Sequence, residues 1–124
     1  IVVMSYDDNN IFAKILRNEI PCNKIYEDEF VLSFYDINPQ KKIHVLVIPK
    51  GKYIDLDDFS QNASPEEMVG LLKGINTVAK KLNISVDTGK GYRALANISE
   101  DGGQEVPHLH FHLFGGEKIG KMVS

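Results

Sequence analysis

The sequence predicts an α+β domain, a five-stranded antiparallel sheet carrying one long and one short helix. Two observations point there: five short segments rich in β-branched and aromatic residues, joined mostly by hairpin-length connections, and one long stretch of helical apolar spacing that interrupts them. Strands and helices in that order place helices on one face of an antiparallel sheet.

The short helix begins near Asp8-Asn9-Asn10, whose side chains suit the capping of bare backbone N–H groups. Ile11, Phe12, Ile15 and Leu16 then recur at helical spacing, and Pro21 ends the helix at the latest. Lys24–Glu27 and Val31–Asp36 read as a hairpin around the acidic turn at Asp28-Glu29, and Asn38-Pro39-Gln40 makes the next turn. Ile43–Ile48 is almost wholly apolar, as for a strand buried on both faces, and Pro49-Lys50-Gly51 stops it. The long helix is announced by Ser64, Pro65 and Glu67, an S-x-x-E capping box with proline at the first helical position. Its stripe is Met68, Leu71, Leu72, Ile75, Val78, Ala79 and Leu82, with Lys73, Lys80 and Lys81 pointing away. Gly70 and Gly74 each weaken such a helix by about 1 kcal/mol, which predicts a tight approach to a neighbouring sheet. Tyr92–Asn97 and Val106–Phe114 supply the last strands, separated by the loop at Ser99–Gly103 and ended by Gly115-Gly116.

With 124 residues, 43% apolar and 25% charged, the chain is expected to form one domain, its ordered core near residues 8–116 and residues 1–7 and 117–124 as terminal extensions. Met4 reads as the native start. No apolar run approaches the roughly 20 residues of a membrane span, and the opening Ile1–Met4 is too short for a signal-peptide core. Fourteen basic and seventeen acidic residues are scattered rather than gathered, which argues against a nucleic-acid polymer as partner. The lone Cys22 makes no internal disulfide and no CxxC pair, so a reducing cytoplasm is the expected compartment, and Cys22 itself reads as a plain small residue.

The chemistry concentrates in Val106-Pro107-His108-Leu109-His110-Phe111-His112-Leu113-Phe114, which holds three of the four histidines. On a strand, His108, His110 and His112 share one face and Leu109, Phe111 and Leu113 the other. Three imidazoles in a row make a poor core, because each brings two ring nitrogens that need partners. Zinc requires ligand nitrogens about 3.4 Å apart, whereas alternate Cβ atoms stand about 6.8 Å apart, and His44, Asp36 and Glu105 show no ligand spacing among themselves. No metal is therefore expected. A tetrahedral anion suits the row better: imidazole serves as nucleophile, acid or donor according to which nitrogen holds the proton. Near pH 7 a neutral and a protonated histidine are expected to coexist, with the middle one attacking and its neighbours flanking the phosphorus.

His108–Phe114 resembles the HxHxHxx signature of the histidine triad (HIT) superfamily. The likeness extends through Ile11–Ile15, Glu19–Pro21, Phe34–Pro39, His44–Lys50, Gly91–Arg93 and Asp101–Gln104, all similar to the histidine triad nucleotide-binding branch. The resemblance implies a HIT-like fold pairing into a homodimer, no cofactor, and hydrolysis of purine nucleoside phosphoramidates, typically adenosine 5'-monophosphoramidates. It implies that His110 attacks the α-phosphorus, that the His108 carbonyl orients the His110 ring, that His112 contacts the phosphate and protonates the leaving nitrogen, and that His44 hydrogen-bonds His108. Asn97 and the backbone around Gly103 and Gln104 would hold phosphate oxygens and Asp36 the ribose hydroxyls, while Phe12, Ile15, Ile20, Phe34 and Ile37 enclose the base. On the residues alone, the apolar set reads first as ordinary core and Asn97 and His44 as structural, whereas for Asp36 a ribose acceptor is favoured over a turn-capping carboxylate. A serine aimed at the leaving group in animal members is replaced by Glu105, and the tail at 117–124 lacks their tryptophan and prolines. Two other functions fit the residues: a non-catalytic AMP-binding regulatory or scaffold protein, and a small metal-binding module.

Overall fold

The computed structural model describes residues 5–123, so the expected start at Met4 lies outside the described residues. A sheet of order β1-β2-β3-β5-β4 is antiparallel throughout, from β1 (Lys24–Glu27), β2 (Val31–Tyr35), β3 (Ile43–Pro49), β4 (Arg93–Leu95) and β5 (Phe111–Gly115). The β1–β2 turn is pinned by Asp28, whose Oδ1 accepts from the backbone N–H of Phe30 at 2.8 Å and of Val31 at 2.9 Å. Among the described residues no helix is long and apolar enough to cross a membrane.

Helices cover both faces of the sheet, not one as expected. Val31, Val45 and Val47 pack with Leu71, Ile75 and Val78 of α3 (Pro65–Lys81), whereas the alternate residues Leu32, Phe34, Leu46 and Ile48 pack with Phe12 and Ile15 of α1 (Ile11–Leu16). Period-two alternation along β2 and β3 sorts the two cores. It leaves the central strand buried almost from end to end, as its composition predicts.

Asn10 caps α1 by accepting from the Ala13 N–H, and Ser64 and Glu67 complete the capping box of α3. The glycines of α3 let it lie close to β2: a Cβ on Gly70 would meet Phe30 Cγ at 2.4 Å, and one on Gly74 would meet Val31 Cγ2 at 2.7 Å. That contact turns Leu72 out of the expected stripe, to 67% exposure. Since Val31 is fully buried and has nowhere to retreat, Gly74→Val is expected to lower unfolding free energy by about 2–3 kcal/mol in urea titrations.

Two short helices have no counterpart in the sequence reading: α2 (Leu56–Asn62), capped by Asp55 and anchored by the buried Phe59, and α4 (Ser99–Gly102) in the expected loop. The terminal strands are shorter than predicted. In particular, β5 starts at Phe111 rather than Val106. Pro107 offers no N–H, the His108 N–H turns back to the Val106 carbonyl at 2.8 Å, and that of Leu109 goes to the Tyr53 carbonyl at 2.8 Å, so this stretch joins no ladder. Described residues near both ends contact the body of the domain: Tyr6 reaches His108, and Arg93 donates to the Gly120 and Lys121 carbonyls at 2.8 Å each.

Candidate active site

On the α1 face, a cleft of about 530 Å³ opens beside the histidines. Phe12, Ile15, Ile20 and Phe34 form its apolar end, while His110, His112, His44, Asp36, Asn97, Gly103 and Glu105 line the rest. Ile37 also lines the cleft, standing at its rim with 88% of its surface exposed. Half-buried Cys22 also lines the cleft, its thiol pKa raised by burial, which keeps it protonated. A second groove, about 650 Å³ between the β1–β2 turn and α3, contains no histidine or cysteine.

The three histidines do not occupy equivalent positions at the cleft. His108 is fully buried and does not reach the cleft; its Nε2 donates to the Pro49 carbonyl at 2.8 Å and its ring packs edge-on against Phe12 at 6.3 Å. Of the three, His110 and His112 line the cleft, their ring centroids 5.1 Å apart. The reason is local: ahead of the ladder the chain turns the first imidazole down behind α1.

Hydrogen-bond partners assign the proton on each ring. A carbonyl only accepts, so His110 Nδ1, 2.7 Å from the His108 carbonyl, carries hydrogen and leaves the Nε2 lone pair free toward the cleft. His44 Nδ1 accepts from the backbone N–H of Gln40 at 3.0 Å, so its proton sits on Nε2, which donates to His112 Nδ1 at 2.9 Å. Neutral His112 then carries its own hydrogen on Nε2. Two neighbouring imidazoles thus present opposite ends, an acceptor on His110 and a donor on His112.

His44 therefore bonds His112, not His108 as the resemblance implied. Between β3 and β5, Leu46 lies opposite His112 and His44 opposite Phe114, a diagonal that lets the two imidazoles meet. Neither Gln40 nor Tyr6 figured among the sequence candidates. Gln40 acts through its backbone, which no side-chain pattern reveals, and Tyr6 lies in a segment without periodicity.

Desolvation lowers the pKa of all four histidines, to about 4 for His108 and His112. Asp36 partly opposes the shift at His44, as Asp36 and Glu105 do at His110. In the free protein burial thus favours the neutral form of the rings, against the expected coexistence of neutral and protonated histidines near pH 7.

Asp36, His44 and His112 place one ligand atom each within 4.8 Å of one another, a convergence that linear spacing did not disclose. The donor set fits a metal poorly, because the Gln40 N–H fixes the proton of His44 on the very nitrogen a cation would need. The cluster is a hydrogen-bonded chain instead. Asp36 caps its turn, one of the two uses foreseen for it, with Oδ1 accepting from the Asn38 N–H at 2.8 Å, while Oδ2 faces His44 Nε2 at 3.4 Å, a contact the sequence did not suggest.

Gln104 does not line the cleft. Its amide donates to the carbonyls of Ile54 at 2.6 Å and Val106 at 3.0 Å, bracing the approach to the histidines. The backbone N–H groups of Gly103 and Gln104 close the end of α4 on the Glu100 and Ser99 carbonyls, so the anion-holding role expected of them is already taken up internally.

This sheet and its paired imidazoles define a histidine triad protein. The family model for the HIT domain matches residues 17–119, and the chain belongs to that family. An uncharacterised 13.2 kDa HIT-like protein of Azospirillum brasilense is 51% identical over 120 residues, 97% of this chain and 96% of its own. The purine nucleoside phosphoramidase of Escherichia coli K12 is 38% identical over 118 residues, 94% of this chain and 95% of its own. Among solved structures, a HIT family hydrolase from Clostridium thermocellum superposes with a TM-score of 0.83 at 38% identity, covering 94% of this chain and 98% of that one.

Proposed function

We propose that the protein hydrolyses purine nucleoside 5'-phosphoramidates through a nucleotidyl-histidine intermediate on His110. The opposed protons of His110 and His112 in one cleft carry this reading, since attack on phosphorus needs a free lone pair and departure of an amine needs a proton. The phosphoramidase activity of the E. coli relative supports it.

His110 Nε2 attacks the α-phosphorus as the P–N bond breaks, and its electron pair leaves with the nitrogen. The bound phosphoryl anion offsets the burial that keeps His112 neutral, so that His112 takes up a proton from solvent and gives the departing amine the one on its Nε2. Water then attacks the nucleotidyl-imidazole, its proton passes to His112, and the monophosphate is released. No cofactor enters. Asn97 holds phosphate oxygens, Asp36 binds the ribose hydroxyls and the Phe12–Phe34 end encloses the base. We further propose that two copies join their sheets into a homodimer and that the protein works in the cytoplasm.

Incubation with a fluorogenic adenosine phosphoramidate, acid-free quenching and mass spectrometry is expected to find an adenylyl group on His110. AMP binding with no amine release and no adduct would support the regulatory or scaffold reading in its place.

A further inference from the structure

Tyr6 lies in the segment read from the sequence as an extension, and ahead of residue 17, where the family match begins. Its hydroxyl nevertheless sits 2.5 Å from His108 Nδ1, and its ring meets the His108 ring edge-on at 5.6 Å. Since His108 Nε2 carries the hydrogen that goes to Pro49, neutral Nδ1 is a lone pair, and the Tyr6 hydroxyl is its donor. Burial raises the Tyr6 pKa, which keeps that hydrogen in place.

The segment is tied down immediately after this contact. The Asp7 carbonyl accepts from Asn10 Nδ2 at 2.7 Å, the Asp8 carbonyl accepts from Arg17 Nη1 at 2.8 Å, and the Asp8 carboxylate pairs with Lys52 at 2.8 Å. The His108 peptide, by contrast, lies outside the β5 ladder, so the carbonyl that holds His110 is not fixed by strand pairing. The Leu109 N–H of the same peptide unit donates to the Tyr53 carbonyl at 2.8 Å, and the ring is the second anchor, gripped by Pro49 at one nitrogen and by Tyr6 at the other.

We propose that Tyr6 is a positioning residue for phosphoramidate hydrolysis, locking the His108 ring so that its carbonyl keeps the His110 lone pair aimed at phosphorus. The proposal rests on His110 being the nucleophile, as argued above. Misplacement of a reacting group by about 1 Å can lower a rate by about 100-fold, and loosening one of two ring anchors is a milder disturbance.

The test is Tyr6→Phe in the full chain, which keeps the ring and removes the hydroxyl. In nitrogen-15 imidazole spectra the His108 Nδ1 signal is expected to move toward that of an unbonded lone pair, and His110 to lose its single Nδ1–H tautomer. With adenosine phosphoramidate as substrate, kcat is expected to fall about 10-fold while KM changes by less than about 2-fold. A purely structural tyrosine would lower the melting temperature and leave kcat and the His110 tautomer alone; either result overturns the proposal. If the wild type hydrolyses no phosphoramidate, the proposed function fails, and the His110 spectra decide the role of Tyr6 by themselves. Should the variant not fold, the wild-type protein still decides: an exchange-protected Tyr6 hydroxyl proton correlated with His108 Nδ1 is expected, and its absence overturns the proposal.

Discussion

His110→Asn is expected to lower turnover of an adenosine phosphoramidate by about 1,000-fold or more while AMP affinity stays within a few-fold of the wild type. The asparagine amide can still donate to the His108 carbonyl, so the polar contact beneath the ring is preserved. What vanishes is the Nε2 lone pair that this bond aims into the cleft. Binding survives because Phe12, Phe34, Asp36 and His112 line the same cleft independently. Single-turnover release of the amine, paired with calorimetric titration of AMP, measures both halves, and full turnover by the variant would remove His110 from the nucleophile's role. The complementary variant His112→Ala keeps the attacking nitrogen and removes the donor, so its loss should lessen as the leaving amine becomes a better leaving group.

Where adjacent residues carry the information, the sequence is read directly. Ser64, Pro65 and Glu67 start α3 by local hydrogen bonding, and the alternation Leu109, Phe111, Leu113 against His108, His110, His112 is a property of extended backbone. Gly70 and Gly74 disclose a close approach because a glycine in a helix needs a reason, but not that the approach would swing Leu72 outward. Short elements were hidden: α2 has one buried apolar anchor, Phe59, and acidic residues at 55, 57 and 58 that blur its cap.

The site divides along the same line. That histidines would meet an anion is legible in their spacing, whereas the proton on each ring depends on partners far away in sequence. His44 lies 68 residues from His112, and Tyr6 lies 102 residues from His108. Register between β3 and β5 makes the first pairing, and the path of the chain around α1 makes the second. That His108 would lie buried against Phe12 rather than line the cleft was not legible, because the chain ahead of Phe111 leaves the ladder and its path depends on distant partners.

Acidification should begin to destabilise the protein before its carboxylates titrate, and His108 is the main reason. It is fully buried, with a pKa near 4 in the folded protein because of desolvation, against about 6.5 once exposed in the unfolded chain. The unfolded state therefore binds the extra proton first as pH falls. The stabilisation is complete above pH 6.5 and drains away on the descent toward pH 4, by about 2 kcal/mol at pH 5 and about 3 kcal/mol at pH 4. His112 is shifted in the same direction and steepens the fall. Its magnitude is a large part of the 5–15 kcal/mol typical of a small domain. Urea titrations at half-unit steps from pH 7.5 to 4 should show the midpoint dropping across this window, and His108→Gln, less stable at pH 7, should show a visibly flatter slope. A wild-type midpoint that stays level down to pH 4.5 would mean that His108 keeps its ordinary pKa in the folded state, and with it would go the sealed, neutral ring on which the orientation of His110 depends.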